Sequence, residues 1–248
     1  MKNLRYINLG LIEPRFIMAV WEYSNLFTPD IPTLFSYIPN KLTIKMSGSI
    51  DMNDLVRVDN LPKDINMLRI ISNNNSSFIL DENLLVFHFH YPDINEYKSL
   101  IKAISAIVYT ELKEIPLVTE NNDIYFIKEE MRKKFFGMMD KNTSIGWKVS
   151  MFSLTFDFNS EFANSIYRFD NNKFRKKGLI KDISTIVGGL HEVSKELDKD
   201  KIAKGIVNKI ANRYDFDLLN DSLSKLELEK MYKFVDDFDN KEWYLHGK

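Results

Sequence analysis

The stretch RIISNNNSSFILDEN, residues 69–83, joins two predicted strands through a polar hinge. The hinge contains three consecutive asparagines, Asn73 to Asn75, where a tight turn or a ligand-binding loop commonly uses glycine. Asparagine is the usual substitute because it tolerates the left-handed backbone region. No glycine occurs between Gly48 and Gly137. A glycine-rich phosphate loop is therefore excluded from that segment, and any ligand loop at the hinge uses asparagine.

The composition is that of a globular protein. The chain has 248 residues, of which 44% are hydrophobic, and 34 Lys and Arg balance 35 Asp and Glu. This length suffices for one large core, and the near-zero net charge disfavours a nucleic-acid partner. No stretch approaches the roughly 18 apolar residues of a membrane helix, and the amino terminus alternates polar and apolar residues. We therefore expect a cytoplasmic protein with no membrane partner.

The absence of cysteine narrows the chemistry. With zero cysteines, the chain forms no disulfide, no thiolate metal site and no cysteine nucleophile. Any covalent catalysis through a thioester intermediate is excluded.

Hydrophobic periodicity predicts an α+β fold. Alternation predicts strands at 4–9, 33–46 with a break at 39–40, 69–72, 78–91 with a break at 81–83, 124–127 and 147–158. Apolar residues spaced three and four positions apart predict helices at 14–27, 94–115, 162–167, 183–193, 201–214 and 222–238. Pro14 opens the first helix, and Asp93 is the expected cap of the second.

These elements predict an antiparallel-rich mixed sheet flanked by helices. Residues from about 180 to 248 form a helical carboxy-terminal part. No linker, repeat or composition shift separates a second unit. We expect one domain over residues 1–248, without an accessory domain.

Several stretches occur in a characteristic order. They are RYINLGLIEPRFIMAVWEYSNL (5–26), PTLFSYIPNKLTIKMSGS (32–49), the hinge (69–83), NNDI (121–124), KFFG (134–137) and KFRKKGLIKDISTIVGGL (173–190). This order resembles the lipoate-protein ligase A family, within the biotin and lipoate ligase superfamily. NNDI and KFFG are its strongest elements, since they are similar to the family's Arg-Asn-Asp-Ile and to the Lys-x-x-Gly around its essential lysine. The resemblance implies a class II biotin/lipoate ligase-like domain.

The family resemblance also implies an activity. A lipoate-protein ligase activates lipoate or a similar acyl carboxylate with ATP and magnesium, and then transfers the acyl group to a lysine of an acceptor lipoyl domain. The attacking group is the acceptor's amine, so a ligase needs no cysteine, whereas the related octanoyltransferases do. Because the family's usual carboxy-terminal accessory domain has no counterpart here, the resemblance further suggests a separate accessory subunit.

Site residues follow from the matched positions. The resemblance makes Lys134 the catalytic lysine, which holds negative charge beside the substrate carboxylate and the α-phosphate. It assigns substrate contacts to Arg69, Ser72, Asn73, Asn74, Asn75 and Asn83. It assigns nucleotide contacts to Asn122, Asp123 and Gly137, with Asp123 acting through magnesium or its water.

The same residues have structural interpretations. The basic run ending at Lys134 is typical of a solvated turn, Asn122 and Asp123 suit a β-turn, and Arg69 is often a rim residue in such a place. His88 and His90 lie two apart in a strand, like a two-histidine metal site. Since no third ligand is evident, we interpret them as part of a polar strand face and predict no metal site.

Departures from the family pattern leave other functions open. Asn73 to Asn75 occupy the positions of the family's three signature glycines. Ile79 and Leu80 replace its His-Asp pair, and Val149 and Ser150 replace a later His-Gly pair. These changes favour an inactive paralogue that binds a lipoyl domain or pairs with an active ligase. A third hypothesis is a ligase for another carboxylic cofactor, such as biotin.

Overall fold

A computed structural model describes residues 2–47, 51–70, 76–97, 99–120, 123–168 and 182–237. The strands within them are β1 (Lys2–Ile12), β2 (Thr33–Pro39), β3 (Thr43–Ser47), β4 (Asn66–Ile70), β5 (Ser76–Leu80), β6 (Leu84–Pro92), β7 (Leu117–Glu120), β8 (Asp123–Lys128), β9 (Met131–Lys134), β10 (Phe136–Asn142), β11 (Trp147–Thr155) and β12 (Phe216–Asp221). The helices are α1 (Phe16–Trp21), α2 (Tyr23–Phe27), α3 (Leu100–Glu111), α4 (Ser160–Ile166), α5 (Lys199–Tyr214) and α6 (Lys225–Asp237).

A six-stranded mixed sheet forms the centre of the molecule. Its strand order is β10-β11-β6-β2-β1-β12. The ladders from β10 to β2 are antiparallel, while β1 runs parallel to both β2 and β12. Two three-stranded sheets, β4-β3-β5 and β7-β8-β9, accompany it. The predicted α+β class with an antiparallel-rich mixed sheet is confirmed.

The two faces of the main sheet bury different cores. Side chains alternate along each strand, so Phe87 and Phe152 point to the face covered by α3 and α5. Val86 and Met151 point to the opposite face, which α1, α6 and the β4-β3-β5 sheet cover. Every residue of α1 is buried, because that short helix is enclosed between the sheet and α6.

The far side of the β4-β3-β5 sheet covers a third, smaller core. Ile44 and Met46 of β3 pack there against Val56 and against Ile166 of α4. Both faces of this small sheet are therefore buried. Lys45, which lies between Ile44 and Met46, consequently points into the interior and not to solvent.

The amino-terminal helices differ from the predicted boundaries. The predicted helix at 14–27 is two short helices that break at Glu22. The helix predicted at 94–115 begins only at Leu100, after a 3₁₀ turn, and its cap position is Ser99. Asp93 is not the cap, because its backbone N–H donates to the Gly146 carbonyl at 2.9 Å and ties it to the turn between β10 and β11.

The carboxy-terminal part is less helical than predicted. Residues 183–193 contain two 3₁₀ turns in place of a helix, and β12 was not predicted at all. β12 forms because the outer edge of β1 has unpaired backbone groups that a parallel strand satisfies. The helices predicted at 201–214 and 222–238 are confirmed as α5 and α6, with small shifts at their ends.

A polar network fastens the last helix to the sheet. The Arg5 guanidinium donates to Glu227 in a bidentate pair at 2.6 and 3.1 Å, and to Asp221 at 2.7 Å. The Tyr23 hydroxyl donates to the same Glu227 carboxylate at 2.6 Å. Burial opposes ionisation of Glu227, but these hydrogen bonds outweigh it and lower its pKa to about 2.

Glu227→Gln tests this network through the pH dependence of stability. A lowered folded-state pKa stabilises the protein fully above the unfolded value of 4.5, and the contribution is lost as pH falls from there towards 2. We expect the variant to lose about 1–3 kcal/mol of unfolding free energy at neutral pH. The difference in unfolding free energy between the variant and the wild type, measured by urea unfolding, should shrink as the pH falls through this range.

The control for this measurement is Glu13→Gln. Glu13 pairs with Lys41 at 2.9 Å, but both side chains are more than half exposed. That variant should change the unfolding free energy by less than about 0.5 kcal/mol. Equal effects of the two variants would contradict the importance of the Arg5 network.

Candidate functional site

Lys134 and Asp123 form an ion pair on the β8–β9 hairpin. In its antiparallel ladder, Lys134 lies opposite Tyr125, and the Lys134 Nζ donates to Asp123 Oδ1 at 2.6 Å. The Lys134 side chain is 36% exposed and that of Asp123 is 33% exposed. Solvent can therefore reach both, and such a pair stabilises the fold by only about 0.2–1 kcal/mol. The pair positions an ammonium and a carboxylate at an accessible surface.

The backbone of Lys134 is held on its other side by residues 186–188. Its N–H donates to the Ile186 carbonyl at 2.8 Å, and its carbonyl accepts from the Gly188 N–H at 3.1 Å. Lys134 thus lies between two partners, with β8 on one edge and the 186–188 segment on the other. The position of the Lys134 Cα is fixed, although its side chain reaches towards solvent. The interpretation of this run as a solvated turn is wrong, because β9 is a paired strand.

Gly137 leaves an open position on β10. It lies opposite Ser153 of β11. A Cβ added there would meet the Ser153 Oγ at 3.6 Å, an ordinary contact, and nothing else within 4 Å among the described residues. Packing therefore does not demand glycine here, so its bare backbone is available for a close approach by another molecule.

Arg69 lies on a buried strand of the β4-β3-β5 sheet. It occupies β4 opposite Met46, whose side chain belongs to the small core under the β4-β3-β5 sheet. Arg69 is fully buried, which contradicts its interpretation as a rim residue. Burial lowers its pKa, and the nearby charge of Asp51 acts in the opposite direction.

Asn83 lines a pocket of about 380 Å³. The other lining residues are Lys133, Asp157, Phe158, Asn159, Ser160, Ser184, Val187 and Glu192. Lys133 and Lys134 are successive residues of one strand, so their side chains project to opposite faces. Lys134 is not among the lining residues, and the pocket lies on the Lys133 side of β9.

The pocket contains its own ion pair and a closely packed backbone. The Lys133 Nζ donates to Glu192 Oε2 at 2.7 Å. Burial opposes ionisation of Glu192, but Lys133 and the Gly189 N–H donate to its carboxylate and lower its pKa. A Cβ on Gly189 would lie 2.3 Å from the Phe156 carbonyl oxygen, so only glycine fits this position. The sequence analysis did not single out Lys133, Gly189 or Glu192 as site residues.

Ser72, Asn73, Asn74, Asn75 and Asn122 lie outside the described residues. Their predicted contacts with substrate and nucleotide remain predictions.

His88 and His90 are fully buried, and their interpretation as part of a polar strand face is wrong. The Tyr37 hydroxyl lies 3.0 Å from His88 Nε2, and Ser24 Oγ lies 3.0 Å from His90 Nδ1. Burial and the nearby Lys141 ammonium lower the pKa of His90 to about 3. Both imidazoles are packed by aromatic rings, including Trp21 against His88 and Tyr23 against His90. Among the described residues, no group of three or more His, Asp or Glu is placed to hold a metal ion.

Two buried lysines accompany these histidines. The Lys141 ammonium pairs with Glu22 and lies 5.1 Å from the centre of the Trp21 ring. The Lys45 Nζ donates to the sulfur of Met139 in β10 at 2.9 Å, and burial lowers the Lys45 pKa well below 10.5. Sequence reasoning missed both lysines. The only available signal was a lysine in each of two otherwise strand-like segments.

The chain matches no protein-family model and no curated protein sequence. Solved structures do match. One is a chain from an archaeal lipoylation system, a bipartite lipoate protein ligase and its E2 lipoyl domain from Thermoplasma acidophilum, at a TM-score of 0.80 and 16% identity over 99% of this chain and 97% of that chain. A second is P. falciparum LipL1 in complex with lipoate, at a TM-score of 0.76 and 13% identity over 99% of this chain and 74% of that chain.

A third solved structure is lipoate-protein ligase A bound with ATP, at a TM-score of 0.74 and 15% identity over 99% of each chain. The protein therefore has the fold of the lipoate-protein ligases, as the order of its motifs predicted. At such low identity the likeness establishes the fold alone. No described helix combines the length and the apolar character needed to cross a membrane.

Two glycine substitutions test the packing around the site. Gly189→Ala should destabilise the protein by about 1–3 kcal/mol, since the added methyl meets backbone atoms that cannot move independently. Gly137→Ala should change the unfolding free energy by less than about 0.5 kcal/mol, because its methyl makes an ordinary contact. Thermal and urea unfolding of both variants give the comparison. If Gly137→Ala lowers the unfolding free energy as much as Gly189→Ala does, packing requires glycine at position 137 as well.

Proposed function

We propose that this protein is a lipoate-protein ligase-like enzyme. It activates the carboxylate of lipoate or a similar acid with ATP, and transfers the acyl group to a lysine of a lipoyl domain. The observation that carries the proposal is the Lys134–Asp123 ion pair at 2.6 Å, on neighbouring strands and open to solvent. These are the two ionisable residues at which the strongest motifs of the sequence resemble the family.

The chemistry has two steps. The acid's carboxylate oxygen attacks the α-phosphorus of ATP and expels pyrophosphate, which leaves an acyl-adenylate. The acceptor's lysine amine then attacks the acyl carbon, forms an amide, and expels AMP with loss of a proton. No cysteine takes part, in agreement with a chain that has none.

Lys134 is suited to the first step. Negative charge accumulates between the carboxylate and the α-phosphate, and a fixed ammonium there stabilises the transition state more than the separated reactants. The backbone hydrogen bonds to residues 186–188 fix the Lys134 Cα, so little ordering is needed when substrate binds. Asp123 orients the ammonium in the absence of substrate.

Magnesium fits the same place. Mg²⁺ is commonly bound by one or two carboxylates together with substrate phosphates, and Asp123 supplies one accessible carboxylate. When bound with ATP, the ion neutralises phosphate charge. Gly137 lies three residues beyond Lys134, and its open backbone would let a nucleotide approach closely.

A ligation assay tests the proposal. Purified protein is incubated with lipoate, ATP, magnesium and an apo lipoyl domain, with and without a bipartite ligase's accessory subunit. The acceptor should gain the mass of one lipoyl group, and pyrophosphate should be released. Lys134→Ala should lower the rate about 100-fold or more, since one charge-stabilising group is removed.

Lys225→Ala is the matched control, because Lys225 lies on α6 with a side chain that is 92% exposed. It should leave the rate unchanged. Absence of pyrophosphate release under every partner condition would exclude the ligase activity.

The second candidate is a non-catalytic binding protein with the same fold. It is favoured by the 2.6 Å contact that already neutralises Lys134 within the protein, together with the asparagines at the three signature glycine positions. This candidate predicts binding of an apo lipoyl domain without turnover. Calorimetry with lipoate, lipoyl-AMP and the apo domain separates the two, because tight, Lys134-dependent binding of lipoyl-AMP belongs only to the ligase.

A further inference from the structure

The backbone of Lys134 is hydrogen-bonded to the 186–188 segment and not to its own hairpin. Opposite residues in an antiparallel ladder alternate between hydrogen-bonded and non-hydrogen-bonded pairs. Lys134 and Tyr125 form a pair of the second kind, because the Lys134 N–H and carbonyl both point to the other edge of β9. There the N–H donates to Ile186 at 2.8 Å, and the carbonyl accepts from Gly188 at 3.1 Å. Whatever fixes the 186–188 segment therefore also fixes Lys134.

Glu192 connects this segment to the residue beside Lys134. One carboxylate oxygen accepts from the Gly189 N–H at 3.1 Å, and the other accepts from the Lys133 Nζ at 2.7 Å. The Lys133 side chain is largely buried and projects from the opposite face of β9 to that of Lys134. The Glu192 carboxylate thus joins the same two segments as the backbone hydrogen bonds of Lys134.

Gly188 provides the space for this link. A Cβ at that position would overlap Glu192 Oε1, and it would lie 2.7 Å from the Phe126 ring and 2.9 Å from the Lys133 side chain. The segment therefore packs directly against the ion pair, so that movement of one requires movement of the other. The Lys128 Nζ lies 3.6 Å from the same carboxylate and adds a second positive charge.

We propose that Glu192 is a positioning residue for Lys134, whose carboxylate holds residues 186–189 against β9 and thereby fixes the Cα from which the Lys134 ammonium extends. The proposal rests on the ligase function proposed above, and it adds a residue that acts through the backbone of Lys134. A small displacement of a reacting group can lower a rate by about 100-fold while the fold survives. The Lys133–Glu192 pair therefore serves the placement of Lys134 and not only the stability of the fold.

Amide hydrogen exchange measured by NMR tests this link without any substrate. Glu192→Ala should speed the exchange of the Lys134 and Gly188 amides at least about tenfold relative to the amides of β11, which report on unfolding of the central sheet. Glu192→Gln keeps an acceptor oxygen in place and should restore most of the protection. Glu227→Ala is the matched control, because it removes a carboxylate that is held by an arginine on another part of the sheet. That variant should leave the ratio of exchange rates unchanged.

The ligation assay gives the second readout. Glu192→Ala should lower kcat about tenfold or more and change the KM for ATP by less than about twofold, because placement is lost while binding is kept. Glu227→Ala should keep the wild-type kcat. Equal acceleration of the Lys134 amide in the two alanine variants, or no acceleration in Glu192→Ala, overturns the positioning role. So does a Glu192→Ala protein that keeps the wild-type kcat.

Failure of this proposal differs from failure of the ligase function. If the wild-type protein releases no pyrophosphate, the ligase function is wrong, and hydrogen exchange still decides whether Glu192 fixes Lys134. If Glu192→Ala does not fold by circular dichroism, Lys133→Met breaks the same ion pair from β9 with a side chain of similar size. Unchanged exchange of the Lys134 amide in that variant then overturns the role of Glu192.

Discussion

The two-residue alternation of side chains along β10, β11 and β6 is the constraint on which the rest of the structure depends. It sends Phe136 and Phe152 to one core and Met139 and Met151 to the other. A shift of one residue in the register of β10 would exchange these faces and bury Asp140 in the place of Met139. The same register decides that Gly137 and Lys141 share the face that the small sheet covers. Site geometry is thus a consequence of core packing.

Charge is distributed unequally between the two sides of β9. Lys134 faces solvent with Asp123, whereas Lys133 faces the pocket with Glu192 and is only 8% exposed. The Lys133–Glu192 pair is costlier to break, because the Lys133 ammonium alone would be a buried, uncompensated charge. The exposed pair is weak and can be exchanged for another partner. These properties suit Lys133 to a structural role and Lys134 to contact with a ligand.

The sequence predicted the parts of the fold that depend on local pattern. The alternation of polar and apolar residues predicted β1, β2, β6 and β11. The order of the motifs predicted the likeness to lipoate-protein ligases. Tertiary contacts decided the rest. β12 pairs only because the edge of β1 is open, and its stretch FDLLND carries little strand signal of its own. β9 was interpreted as a turn because three consecutive basic residues are usually solvated, yet partners on both edges hold it as a strand.

Site residues show the same division. Lys134 and Asp123 were predicted as site residues from the motifs, and the structure places their side chains in contact at 2.6 Å. Their roles remain predictions. The burial of Lys45 was missed, because Lys45 alternates with the apolar residues Ile44 and Met46 of β3 and so has the pattern of a solvent-facing residue. A single sequence reveals which residues share a face, but not whether a second layer covers the other face.

The buried polar residues of the covered face are a cost to folding that an apolar core would not carry. Lys45, Lys141, His88 and His90 all lie there, and burial lowers the pKa of each of them. Replacing buried charged pairs with apolar side chains is often neutral or stabilising in proteins. A cluster of this kind is therefore poorly explained by stability alone.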